Sequence, residues 1–301
     1  MSDTVREGTL LAVANAIQSA IPIIKRIQEK RGSVFVSFIC EQAIDYTVAY
    51  NVNKLLRKIG PGEKLDIMIE SSGGYLDSTV KTGKILKKYF KQVGAIVPFY
   101  AKSAATYLVL SADEILMCKA SELGPLDPQV RETISKTWIP AHSIRKALGF
   151  IESTEDELVK LQLADKIPPL LVGAYIESED SSRQYLEELF EGHENRDKIV
   201  DFFTQKFLSH GYPIDDTQCK QLGLNVIKVE DDLEGDIYDL YELYEDLEQR
   251  FSRDDTEGLL IIQTENKFVV LLDDEDVTEQ IKSTLQVTNL DNSKAEKTGK
   301  K

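Results

Sequence analysis

Between residues 33 and 118, short apolar runs rich in β-branched and aromatic residues alternate with segments whose apolar residues recur every three or four positions. No other feature limits the fold as strongly. Residues 33–40 (SVFVSFIC) read as a strand. Ile44, Val48, Val52, Leu55 and Leu56 then recur at helical spacing until Gly60-Pro61-Gly62 stops them. A second strand at 64–70 leads through Ser71-Ser72-Gly73-Gly74 into a helix with Leu76, Val80, Gly83, Leu86 and Phe90 on one face. Residues 93–97 form a third strand that feeds Ser103 and another helix, and 114–118 form a fourth. This βαβαβ order implies an α/β fold with a parallel sheet and right-handed crossovers. The functional site of such a fold lies where the carboxyl ends of strands meet helix starts.

The remainder is organised around that unit. Residues 131–208 read as mainly helical, and 225–229 return to the sheet. From Glu230 to Glu248 there are ten acidic residues and no basic one, yet Ile237, Leu240, Tyr244, Leu247 and Phe251 keep a three-four spacing, the pattern of a solvated amphipathic helix. Residues 258–262 and 268–272 flank a polar turn and read as a β-hairpin. The expected organisation is an N-terminal amphipathic helix (1–31), an α/β domain (32–228), an appendage of acidic helix and hairpin (229–285) and a disordered tail (286–301). In the first helix Leu10, Leu11, Ala14, Ile17, Ile21 and Ile24 form the stripe expected to dock on the domain or on a partner subunit. Asn15, Gln18, Ser19 and Pro22 make the segment too polar to span a bilayer, and docking is favoured over membrane-surface contact.

Charge and cysteine usage exclude several classes. With 51 acidic and 36 basic residues the net charge is −15, which repels phosphate backbones and argues against a nucleic-acid partner. Cys40, Cys118 and Cys219 are scattered and lack metal-ligand spacing, so neither a disulfide framework nor a metal site is expected, and a reducing, cytoplasmic setting fits.

Three stretches carry candidate chemistry. In Ser71-Ser72-Gly73-Gly74 the glycines let backbone N–H groups face an incoming oxygen at a helix start, although such turns are often purely structural. Ser103, in Tyr100-Ala-Lys-Ser-Ala-Ala-Thr106, joins an apolar strand to an apolar helix. It is either a nucleophile with the Ala104 N–H as oxyanion donor or an ordinary N-cap. Asp127 sits in Leu123-Gly-Pro-Leu-Asp-Pro-Gln129 between two chain-stiffening prolines, where aspartates commonly satisfy local backbone donors.

Taken together, Ser72-Gly73-Gly74, the Val-Pro-Phe-Tyr-Ala-Lys-Ser-Ala-Ala-Thr run ending at Thr106, residues 111–115 (SADEI), residues 123–129 (LGPLDPQ) and residues 209–214 (SHGYPI) resemble the serine dehydrogenase proteinase family. That group is similar to the Clp-type peptidases and signal peptide peptidase A of the crotonase-like superfamily. The likeness spans residues 33 to 228. It implies a Clp/crotonase-like αβ spiral, a homo-oligomer acting on peptide or protein substrates without a cofactor, Ser103 as nucleophile, and Gly73 or Gly74 with Ala104 as the oxyanion hole. In Clp-type enzymes a histidine stands near the position of Asp127 and an aspartate near that of His210, so here the two residue types are exchanged. A triad is defined by geometry and not by chain order, so Ser103, His210 and Asp127 remain a candidate triad. Signal peptide peptidases use a lysine base instead, which leaves Lys160 and Lys166 as alternatives. Lys102 adjoins the serine and points away from it, and His142 and His193 lie in no motif. Two other classes stay open: an inactive oligomeric scaffold of the same fold, and an acyl-CoA enzyme using the same oxyanion donors.

Overall fold

Val36, Phe38 and Cys40 project from one side of the first strand, Phe35, Ser37 and Ile39 from the other, and all six are buried. A strand apolar on both faces needs cover above and below, which is the environment of a central strand in a parallel sheet. The computed structural model describes residues 3–131, 138–253 and 259–271. In chain order the elements are α1 (Asp3–Arg31), β1 (Val34–Cys40), α2 (Tyr46–Ile59), β2 (Gly62–Ser71), α3 (Leu76–Tyr89), β3 (Phe90–Val97), β4 (Tyr100–Ala101), α4 (Ala104–Leu110), β5 (Glu114–Met117) and β6 (Glu122–Leu123). A hairpin of β7 (Gln129–Arg131) and β8 (Trp138–Pro140) follows, then α5 (Ala141–Ser153), α6 (Glu157–Ala164), α7 (Pro169–Leu189), α8 (Arg196–Thr204), α9 (Asp216–Gln221), β9 (Val226–Lys228), α10 (Asp231–Arg253), β10 (Leu260–Gln263) and β11 (Phe268–Leu271).

The expected α/β architecture is present. The main sheet runs β11-β10-β1-β2-β3-β5-β9, parallel from β1 to β9, with β10 and β11 added antiparallel beside β1. A short branch departs from the end of β2, where Ser71 pairs with Ala101 of β4, and β4 in turn pairs with β6. This branch carries the chain around Ser103. The acidic helix and hairpin beyond residue 228 share this sheet: β10 bonds to β1, and α10 packs on the same face as α1.

Two cores separate by strand periodicity. Leu65, Ile67 and Ile69 of β2 face α2, α3 and α4, whereas Met68 joins Ile17, Ile24, Ile237 and Tyr244 under α1 and α10. Thus α1 docks on its own domain. Of the expected stripe, Ile17 and Ile24 are buried and Ala14 packs beside them, whereas Leu11 is 63% exposed and the side chain of Leu10 lies outside the described residues; Val13, Ala16, Ala20 and Ile27 are buried in addition. Apolar residues surround this helix, so spacing alone does not select the face; the groove between sheet and α10 does. Nor is α10 simply solvated. Asp236 pairs with Arg26 (2.8 Å) and Lys30 (2.8 Å), and Glu234 accepts the Lys119 N–H at 2.6 Å. No helix among the described residues is long and apolar enough to cross a membrane. The tail from 286 lies outside the described residues.

Candidate active site

Where β2 ends, the chain must turn sharply beside two other backbones. Gly73 and Gly74 adopt φ of +111° and +152°, a region that side chains disfavour. A Cβ at Gly74 would lie 2.1 Å from the Ile44 nitrogen, since the turn is laced to the segment after β1 by Ile44 N–H to Gly73 O and Tyr75 N–H to Ile44 O, both 2.9 Å. The Gly73 N–H donates to the buried Ser71 hydroxyl at 3.1 Å. The N–H groups of Gly74 and Ala104 meet no acceptor among the described residues. A Cβ at Gly73 would stand 3.0 Å from both Ser103 Cβ and Ala104 N, so the glycine turn and the serine lie against each other.

Ser103 is the only non-glycine residue with positive φ among the described residues, at φ +49° and ψ −124°. An N-cap serine sits in the extended region and bonds a helical N–H through its hydroxyl; Ser103 does neither. The ordinary capping role is therefore excluded, and a strained backbone of this kind needs support from its surroundings. That support is visible. Ala105 N–H bonds Lys102 O at 2.9 Å, Thr106 N–H bonds Ser103 O at 2.9 Å, and the Thr106 hydroxyl donates to Ala101 O (2.8 Å). Lys102 explains its own position: its ammonium bonds Glu122 at 2.5 Å and Leu123 O at 3.2 Å, fastening β4 to β6 on the side away from the serine.

The same fastening carries the chain to Asp127. Gly124 N–H donates to Thr106 Oγ1 at 3.1 Å, and Leu123 exchanges both backbone bonds with Ile214 (2.9 and 3.0 Å). Leu126 N–H bonds Phe203 O and Ala141 N–H bonds Pro128 O, each at 2.8 Å, so the proline turn is held on both flanks. Asp127 is 4% exposed, and its Oδ2 lies 3.9 Å from His210 Nδ1. His210 occupies a tight turn closed by Tyr212 N–H to Ser209 O (3.1 Å), and the Tyr212 ring stacks on Phe207 with centroids 4.0 Å apart. The structure thus forms two clusters, Ser103 with the glycine turn and Asp127 with His210, joined through Leu123 and Gly124.

The other candidates lie elsewhere. None of the residues of α6 is buried, and Lys166 is exposed just beyond it, so neither Lys160 nor Lys166 is withdrawn from water as a lysine base requires. His193 accepts the Asn195 N–H through Nδ1 at 3.1 Å and packs edge-on against Phe190, a local structural role. His142 falls in α5, and its side chain lies outside the described residues. Cys40, Cys118 and Cys219 are buried free thiols, and desolvation pushes Cys118 and Cys219 up to about 12, which makes them poor nucleophiles. No group of residues able to hold a metal occurs among the described residues.

The sequence profile of the ClpP-like SDH-type serine proteinases matches residues 10–256. The chain belongs to this family. Among curated relatives, two uncharacterised proteins of Methanocaldococcus jannaschii are 27% and 25% identical over 239 and 241 residues, covering 74% and 76% of this chain and 78% and 77% of their own. Similar solved structures include the 1510-N membrane-bound stomatin-specific protease in complex with a substrate peptide (TM-score 0.44, 16% identity, 66% of this chain and 76% of that one). ClpP1 from Listeria monocytogenes is another (TM-score 0.41, 14% identity, 72% and 98%).

For this member of the SDH-type proteinases, Gly73→Ala gives a direct test of the glycine turn. The new methyl would meet Lys102 O at 2.8 Å and crowd Ser103 and Ala104 at an unfavourable φ. The expected result is a stability loss of about 1–3 kcal/mol in chemical denaturation, with Ser103 labelling by a fluorophosphonate slowed by about 10²-fold. Labelling at the unaltered rate would separate the turn from the serine's chemistry.

Proposed function

We propose that the protein is a serine peptidase that hydrolyses peptide bonds through an acyl-enzyme on Ser103. The observation that carries this reading is the strained Ser103, set against the glycine turn and making no capping bond. In the proposed cycle the Ser103 hydroxyl oxygen attacks the scissile carbonyl carbon while His210 accepts its proton. Asp127, next to His210 Nδ1, fixes the ring and stabilises the imidazolium. The carbonyl oxygen becomes an oxyanion facing the Ala104 N–H and the Gly73-Gly74 turn. Collapse of this intermediate breaks the C–N bond, and His210 returns the proton to the leaving amine. Water then attacks the acyl carbon while giving a proton to His210, and collapse of the second intermediate breaks the ester C–O bond, releasing the acid as His210 returns that proton to Ser103 Oγ.

The test uses the intact protein with a fluorophosphonate, followed by peptide mapping of the adduct. Covalent mass on Ser103 is the expected result. A stable, folded chain that never labels at any pH from about 6 to 9 favours the scaffold reading instead.

The same reading includes self-association in a cytoplasmic setting. In α6 and its neighbours, Leu158, Leu161 and Leu170 are 67%, 66% and 88% exposed, a concentration of large apolar side chains suited to a second copy of the chain. Replacing Leu158 and Leu161 with aspartate is expected to reduce the mass measured by light scattering to that of a smaller assembly, without loss of helical signal. An unchanged mass removes α6 from the interface.

A further inference from the structure

Glu70 precedes Ser71 at the end of β2 and points to the α10 face of the sheet, where it is almost completely buried. Its Oε2 accepts the Tyr100 N–H at 3.0 Å, and Oε1 lies 3.5 Å from the Tyr241 hydroxyl of α10. Tyr100 is where the chain leaves β3 for β4, three residues before Ser103. One buried carboxyl group thus adds to the strand pairings and the Lys102 N–H bond to Ser71 O (3.0 Å) that hold the approach to Ser103. Around it, Phe99 stacks on Tyr241 (6.2 Å, 23°), and Tyr100 OH donates to Glu41 at 3.3 Å. Glu41 follows directly after β1, and Glu248 of α10 lies close enough to it for the two carboxyl groups to influence each other. The titratable groups facing Glu70 are thus Glu41 from β1, Tyr100 from β4, and Tyr241 and Glu248 from α10, with Glu245 beside them. Glu41, Glu70 and Glu248 form no ion pair with any lysine, arginine or histidine among the described residues.

We infer that Glu70 is a positioning residue for Ser103, acting through the Tyr100 amide, and that the carboxyl cluster it shares with Glu41 and Glu248 couples the nucleophile loop to α10. The inference rests on the serine-peptidase reading. Protonation supports it: burial, with the charge of Glu41 adding to it, raises Glu70 to about 8, although the N–H groups of Tyr100 and Phe99 pull the other way. Glu248 is raised too, by burial and then by its hydrogen bond to Glu41. A carboxyl whose folded value lies above its unfolded one contributes stability fully present below the unfolded value. That contribution is lost as pH rises through the folded one. For Glu70 the loss runs from the ordinary carboxylate range up to about pH 8. Higher still, Glu248, raised to about 9, ionises as well, and like charges repel at the contact that anchors Phe99 and Tyr100.

The experiment compares full-length wild type, Glu70→Gln and Glu70→Ala. It measures the rate of fluorophosphonate labelling from about pH 6 to 10 and amide exchange of peptides covering residues 98–106. Glutamine is the neutral isostere of the protonated acid. Wild-type labelling is expected to fall about fivefold or more between roughly pH 7.5 and 9.5, Glu70→Gln to rescue labelling at pH 7 and to lack that fall, and Glu70→Ala to label about tenfold slower throughout. A structural role alone would slow Glu70→Ala and leave the alkaline limb of Glu70→Gln like wild type, and that outcome overturns the proposal, as does Glu70→Ala labelling at the wild-type rate. If wild type never labels, the peptidase reading fails separately. The exchange data then decide the anchoring: protection of 98–106 lost in Glu70→Ala and lost at high pH only in proteins carrying Glu70 sustains it, and equal protection in all three overturns it.

Discussion

Substituting Ser103 by alanine is expected to abolish fluorophosphonate labelling and to lower peptide hydrolysis by at least about 10³-fold, leaving only what oxyanion donors and substrate binding supply. The backbone makes a second, opposite forecast. Ser103 holds φ +49° and ψ −124° and receives no capping bond in return. Such a conformation costs on the order of 1–3 kcal/mol for a residue with a Cβ, and glycine adopts it freely. Ser103→Gly should therefore be inactive and yet more stable than wild type by about 1 kcal/mol, after the entropy that glycine adds to the unfolded chain is subtracted. Ser103→Ala keeps the Cβ and should gain little. Thermal unfolding of the three proteins checks this. A glycine variant less stable than the alanine variant would mean that the serine's conformation stores no strain. Stability given up at one position, beside a glycine turn whose Gly74 N–H meets no acceptor among the described residues, is the pattern of a residue kept for chemistry.

That strain was not readable from the sequence, although the position was. Strand and helix periods fixed the order of elements through residue 118 because each segment buries a regular face: Leu65, Ile67 and Ile69 went to one core and Met68 to the other. Of the β7–β8 hairpin, β8 falls within the stretch read as mainly helical and β7 was not read as a strand, since strands of three residues hold too little alternation to register. The face of α1 was read correctly at Ile17 and Ile24 and missed at Leu11, because the groove between the sheet and α10 selects which side turns inward. The acidic run of α10 concealed that Glu234 and Asp236 face inward to cations supplied by distant segments. Similarly, Lys102 made no sense without Glu122, and Glu70 looked like one more polar residue at a strand end, because its partners come from three other parts of the chain. Pairings between distant side chains leave no local spacing signal. The proximity of Asp127 and His210 was reached only through the family resemblance, and their contact through Leu123 and Ile214 explains how the fold brings them together.

The identity of the base gives the other large effect. If His210 takes the Ser103 proton, His210→Ala should slow labelling by about 10³–10⁴-fold. Asp127→Asn should slow it by a comparable factor through a misoriented ring, and the double variant should be no slower than His210→Ala alone, because the pair acts as one unit. The pH profile distinguishes this from mere disruption. A histidine base gives wild-type labelling an acidic limb, and that limb should vanish in His210→Ala. Lys160→Ala and Lys166→Ala should label within about twofold of wild type, since a lysine base must first be desolvated and neither residue is buried. Multiplicative losses in the double variant would instead mean that Asp127 and His210 contribute independently, the aspartate bracing its proline turn and the histidine lying outside the proton path. The carboxylate is the buried member, Asp127 being 4% exposed in the turn between two prolines, and the imidazole is the partly exposed one. That division suits an orienter and a base whichever comes first along the chain.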